Sequence, residues 1–184
     1  LTLVWSAYSA DGDHLCRQWA GKSLTDEQLN GKGNAARILL AKLISGRDIP
    51  SVNSVIMKMK AWGVTGSSWA LNRKGDYDCT RSVLTTMLWL YGARPDLLYP
   101  LTRDHLLKVL LTEDGNHFRH YAPRTLGLVE ETENHLLMTE GSRYLKNRWI
   151  MLHGNNAPYY DNAGNGMEGK MLALLRSLEA GGLY

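Results

Sequence analysis

Apolar positions recur at three- and four-residue spacing along most of the chain, with little strand-like alternation, so the pattern predicts a succession of amphipathic helices. Ser23-Leu24-Thr25-Asp26 has the character of a helix cap. From Asn34, the residues Ala35, Ile38, Leu39, Lys42 (through its stem) and Leu43 follow one helical face, and Gly46 marks its end. Pro50 and Ser51 open the next helix, with Val52, Val55, Ile56 and Met59 as its stripe. A third helix is expected over residues 80–91, turning Val83, Leu84, Met87, Leu88 and Tyr91 inward, with Gly92 and Pro95 punctuating its end. Thr102 reads as the cap of a fourth, which carries Leu106, Leu107, Leu110 and Leu111. The fifth spans 134–150, with Leu137, Gly141, Tyr144, Leu145 and Arg148 along one side. Asn165-Gly166-Met167-Glu168 has the order of a capping box and opens a sixth, striped by Met171, Leu172, Leu175 and Leu178.

The predicted class is all-α: antiparallel helical hairpins in one domain over residues 1–184. Segments 46–50 and 92–101 are short links, as expected between antiparallel neighbours. Segments 62–79 and 112–133 are long and rich in Gly, His, Tyr, Arg and acidic residues. Two helices separate them, so in an up-down arrangement both emerge at the same end, where a scaffold usually builds its binding site. By the same counting, 151–166 falls at the opposite end. The last helix runs into Gly181-Gly182 and stops without a partner helix, so the domain is expected to be an incomplete part of a larger helical protein, with the remainder of the parent chain as one partner.

Composition changes this picture in one respect. The chain holds nine Tyr and six Trp against one Phe. Side chains that join an apolar face to a polar edge suit partly polar ligands such as a polysaccharide or oligosaccharide, although core filling is an equally open use of the Trp residues. The formal charge is +3 and its basic residues are scattered, so no nucleic-acid footprint is expected, while an anionic substrate is tolerated. No apolar run is long enough for a membrane span. Cys16 and Cys79 lack metal-ligand spacing and read as isolated thiols more readily than as a disulfide. The start at Leu1 without Met suits a processed or trimmed product, which leaves a secreted or periplasmic origin open.

Candidate chemistry gathers in the two long segments. The first holds Trp69-Ala70-Leu71-Asn72-Arg73-Lys74-Gly75-Asp76-Tyr77-Asp78, where Asp76 and Asp78 flank a Tyr, although Asp76 also suits a turn and Asp78 a helix cap. The second holds His117, Arg119, His120, Tyr121 and Arg124, then Glu130-Glu131-Thr132-Glu133-Asn134-His135 at the entry to a helix. Asn134 or Thr132 is equally open to a capping role. His117-x-x-His120 lies in a loop without the helical spacing of zinc motifs, so neither a metal nor another cofactor is expected.

Taken in order, WALNRKGDYD at 69–78, Leu88-Trp89-Leu90-Tyr91, Arg94 to Pro100 with His105, and Glu131-Thr132-Glu133-Asn134-His135 leading into Ser142-Arg143-Tyr144-Leu145 resemble a bacterial family of (α/α) toroid proteins, similar at greater distance to the toroid domains of alginate and heparin lyases. The resemblance covers about residues 60–150 and implies an (α/α) toroid acting on glycans. It places Asn134 and His135 in the glycan cleft: Asn to neutralise a uronate carboxylate, His or Tyr to remove the C5 proton, and a Tyr to protonate the leaving oxygen. His120, Tyr121 and Tyr144 are candidates for the remaining proton transfers. Trp69, Asp76, Tyr77, Asp78, Arg119, Arg124 and Glu133 are the expected substrate contacts.

Two other readings compete. A glycoside hydrolase needs two carboxylates about 5–9.5 Å apart, to be drawn from Asp76, Asp78, Glu131 and Glu133. A non-catalytic glycan-binding or structural module predicts Asp78, Glu133, Asn134 and His135 buried and mutually hydrogen-bonded. An open groove lined by Trp69, Tyr77, His120 and Tyr121 would count against that last reading.

Overall fold

The computed structural model describes residues 2–24, 29, 34–61, 77–112, 119–121, 128–130 and 133–181, of which 2–10, 119–121, 128–130 and 133 are described by their backbone alone. Helices carry this framework: α1 (Thr2–Ala20), α2 (Asn34–Ile44), α3 (Ile49–Lys58), α4 (Tyr77–Tyr91), α5 (Pro100–His105), α6 (Glu133–Leu152) and α7 (Met167–Gly181). Helix α5 runs on into a π-helical turn over Leu106–Leu110, in which the Leu111 N–H reaches back to the Leu106 carbonyl. Pro158–Tyr160 forms one 3₁₀ turn. The exception to helix among the described residues is a short antiparallel ribbon inside the second long segment, β1 (Arg119–Tyr121) and β2 (Leu128–Glu130), with His120 opposite Val129.

The helices stand in two rows, and the hydrogen bonds fix their directions. Between α3 and α5, the Asn53 amide donates to the Leu97 carbonyl while its oxygen accepts from the Tyr99 N–H, and His105 Nε2 meets the Met59 carbonyl further along both helices, so the two run parallel. Between α4 and α6, Asp78 pairs with His135 at the start and the Trp89 indole donates to the Leu145 carbonyl near the end, so these also run parallel. The two rows oppose each other: the Tyr77 hydroxyl, at the start of α4, donates at 2.7 Å to the Leu110 carbonyl at the close of the π turn. Helix α2 packs on α4 and joins α3 through a tight link. In that link Gly46 (φ 62°) and Asp48 (φ 53°) adopt the left-handed conformation that turns the chain.

Why α2 to α5 pack this way follows from their stripes. Leu39, Leu43, Val52, Ile56, Met59, Leu84, Met87, Leu88, Leu106 and Leu110 form one core, joined by Trp149 from α6. Tyr77 is fully buried against it, so its hydroxyl requires an internal acceptor. Tyr77→Phe should therefore cost about 1 kcal/mol, read as a lower urea midpoint at unchanged slope; an unmoved midpoint would remove the Leu110 bond from the account of how the rows are tied.

Several expectations need correction. Helix α1 lies outside the expected set: of its residues 11–20, burial is confined to Cys16, Trp19 and Ala20, and Asp11, Gly12 and Asp13 are exposed, so the apolar face is too short to read as a stripe. Thr102 is not a cap: α5 begins at Pro100 after Tyr99, and Thr102 lies buried inside it. On α6 the wrong face was assigned. Leu145 and Arg148 are exposed, and the buried positions are His135, Thr139, Glu140, Ser142 and Trp149, all but Glu140 on the far side at about 100° per residue. On α7, Leu172 and Leu175 are half exposed, so its stripe is only partly covered. The Asn165 side-chain oxygen does accept from the Met167 N–H at 2.9 Å, but the capping box is not closed, because the Asn165 N–H goes to the Asp161 carbonyl.

Candidate functional site

Parallel packing of α4 and α6 sets their first turns side by side, and with them the ends to which both long connections attach. There the Asp78 carboxylate, wholly buried in the first turn of α4, accepts a hydrogen bond from His135 Nδ1 at 2.5 Å. With the carboxylate ionised the bond runs from Nδ1–H, and a neutral ring then carries its lone pair on Nε2. His135 is itself 8% exposed. Asn134, one residue earlier, is exposed in the first turn of α6.

The other expected site residues divide by what the structure describes. Tyr77 is not a groove residue: at 0% exposure, with its hydroxyl bonded to Leu110, it belongs to the core. The expectation of a substrate contact failed because the Asp-Tyr-Asp run opens a helix, whose first turn points Tyr77 inward. Arg119, His120 and Tyr121 form strand β1, and Glu133 begins α6, each described as backbone. Trp69, Asp76, Arg124, Glu131 and Thr132 lie outside the described residues. Tyr144 is nine residues beyond His135 on α6, about 13 Å along its axis, and so does not stand beside it. Of the carboxylates the hydrolase reading draws on, Asp78 is bonded to His135, Asp76 and Glu131 lie outside the described residues, and Glu133 is described as backbone.

Reasoning from sequence overlooked a second polar region. The segment after α6 folds back along its last turns, pinned by buried Asn162, whose amide donates to the Tyr144 carbonyl and whose oxygen accepts from Asn147. This encloses a concavity of about 360 Å³ lined in part by Arg143, Lys146, Asn147, Tyr159, Tyr160 and Lys170. The signal was available in Tyr159-Tyr160 within an Asn-rich run, but no motif joined it to the lysines.

Among the described residues no group of three His, Cys, Asp or Glu is placed to hold a metal ion, and no helix is long and apolar enough to cross a membrane. Cys16 and Cys79 are not joined in a disulfide. Compared with known proteins, the chain matches no family model, no curated protein and no solved structure.

Proposed function

We propose that this chain is a carbohydrate-active domain, an arc of an (α/α) toroid, that cleaves an acidic polysaccharide by β-elimination with His135 as the base. The observation that carries this reading is the Asp78–His135 hydrogen bond at the mouth of α6, beside exposed Asn134. Two rows of mutually parallel helices support the toroid arc, with α4 and α6 in one row and α3 and α5 in the other.

The chemistry follows from the assigned tautomer. Asp78 fixes Nδ1–H and stabilises the imidazolium that forms when Nε2 removes the uronate C5 proton. The electron pair of that C–H bond becomes the C4–C5 double bond, the C4–O bond breaks, and the departing oxygen takes up a proton. Asn134 donates its amide to the uronate carboxylate, which lowers the cost of charge building at C5. Export to a secreted or periplasmic compartment, where such polymers are met, belongs to the same reading.

The test is to incubate the chain with a panel of uronate polymers and follow the ultraviolet absorbance of the conjugated unsaturated product. A rise is the expected result. New reducing ends from a neutral glycan, with no absorbance change, would replace elimination by hydrolysis. The burial of both Asp78 and His135 favours a second reading, in which the pair locks α4 to α6 inside a non-catalytic glycan-binding module; no reaction with any glycan would establish it over the first.

A further inference from the structure

The turn that leads into α7 carries an asparagine followed directly by a glycine, Asn165-Gly166, and both residues are exposed. Among the described residues every other Asn precedes a residue with a Cβ, as in Asn155-Asn156 and Asn162-Ala163. An Asn-Gly pair has a chemistry of its own. The Gly nitrogen can attack the Asn side-chain amide carbon, and the lack of a Cβ leaves that nitrogen unhindered. The new C–N bond closes a succinimide ring. The side-chain nitrogen departs as ammonia, carrying the proton that the Gly nitrogen gives up. Water then opens the ring at either carbonyl, leaving aspartate or isoaspartate in place of Asn.

The local backbone builds this pair in and only partly restrains it. Gly166 sits at φ 79°, the left-handed region, so a glycine is what the turn requires. Its N–H reaches the Ala163 carbonyl only at 3.4 Å, long for a bond of that kind. The side-chain amide is held more firmly. Its oxygen accepts from the Met167 N–H at 2.9 Å and its nitrogen donates to the Tyr159 carbonyl at 2.8 Å. Ammonia leaves only after that nitrogen is released from Tyr159, so the two bonds act as a latch. The latch in turn depends on how the segment lies along α6, where buried Asn162 bonds to the Tyr144 carbonyl and to Asn147.

We propose that Asn165-Gly166 is a site of spontaneous deamidation, slowed in the fold by the bonds to Met167 and Tyr159 and released when the segment before α7 lifts from α6. Either product carries a carboxylate and has no donor for the Tyr159 carbonyl. Isoaspartate also adds a carbon to the main chain at the entry to α7. The modification therefore loosens the seat of α7, and it rests on no part of the elimination chemistry.

The test ages the full chain at mildly alkaline pH in two states, native and held unfolded in guanidinium chloride. Peptide mass spectrometry, with fragment ions to locate the residue, follows the change of amide to acid and the appearance of isoaspartate. Asn165 should be converted in both states, at least about tenfold more slowly in the native chain, because two hydrogen bonds must open first. In the unfolded chain Asn155 and Asn162 should lag behind it. Asn162→Ala, with its helix content checked by circular dichroism, should raise the native rate about three- to tenfold and leave the unfolded rate unchanged. Tyr77→Phe weakens the distant core without touching this segment and should leave the native rate unchanged, since the opening is local. The proposal is overturned by no conversion of Asn165 in either state, by aspartate without isoaspartate, by equal native and unfolded rates, or by Tyr77→Phe accelerating the reaction as much as Asn162→Ala.

Discussion

His135→Ala is expected to lower formation of the unsaturated product by about 10²–10⁴-fold, the range for removing a positioned general base. Asp78→Asn should approach the same loss by another route. The Asn side chain is close in size to Asp, but it cannot stabilise an imidazolium by charge, and if its amide donates to Nδ1 the ring proton moves to Nε2, which then cannot accept. Stability supplies the control. Asp78 is fully buried, so Asp78→Ala removes a buried partner and should cost about 3 kcal/mol or more, whereas Asp78→Asn keeps the packing and should cost less. Rate and stability therefore separate across the pair of variants. If the two substitutions lower the denaturation midpoint but leave the elimination rate intact, the pair is a structural lock and His135 is not the base.

Legibility of the fold depended on what each helix buries. Where the buried face is apolar, sequence spacing located it: Ala35, Ile38, Leu39 and Leu43 on α2, Val52 and Ile56 on α3, and Leu84, Met87 and Leu88 on α4 are all core residues. Helix α6 inverts that logic. Its buried positions His135, Thr139 and Ser142 are polar, while the leucines that suggested a stripe, Leu137 and Leu145, are half-buried or exposed. Periodicity detects apolarity, and a helix that turns polar groups inward defeats it. The ribbon at Arg119–Tyr121 and Leu128–Glu130 is three residues per strand, too short for alternation to show.

The site was half visible for a related reason. Asp78 and His135 were each singled out from their own motif, but they are 57 residues apart, and only the parallel alignment of α4 with α6 brings them together. No spacing rule could pair them. The basic concavity was invisible because its cations come from two helices and its tyrosines from the segment between them; Asn162, a residue with no motif value, closes that geometry.

At the far end of the same helix pair, Gly92→Ala is expected to destabilise the protein by about 3 kcal/mol. Gly92 follows the last turn of α4 and gives its N–H to the Leu88 carbonyl at 2.8 Å. A Cβ there would run into that carbonyl oxygen and come within 2.7 Å of Trp149 Cζ2, with Leu88 Cδ1 at 3.0 Å. Trp149 has little room to give way: it is 5% exposed, belongs to the core, and stacks on His153 with ring centres 3.9 Å apart. Denaturant unfolding should show a lower midpoint at unchanged slope. Adding Trp149→Leu to Gly92→Ala should cost less than the two separate losses combined, because the shorter side chain removes one half of the collision. Additive losses would place the strain in the Leu88 carbonyl alone. The substitution sits about 20 Å along α4 from Asp78, so where elimination is observed its rate per folded molecule should be unchanged. That outcome would show that the Asp78–His135 end of the helix pair holds its geometry without help from the Gly92–Trp149 end; a rate that falls with stability would mean that the alignment of α4 and α6 is set over their whole length.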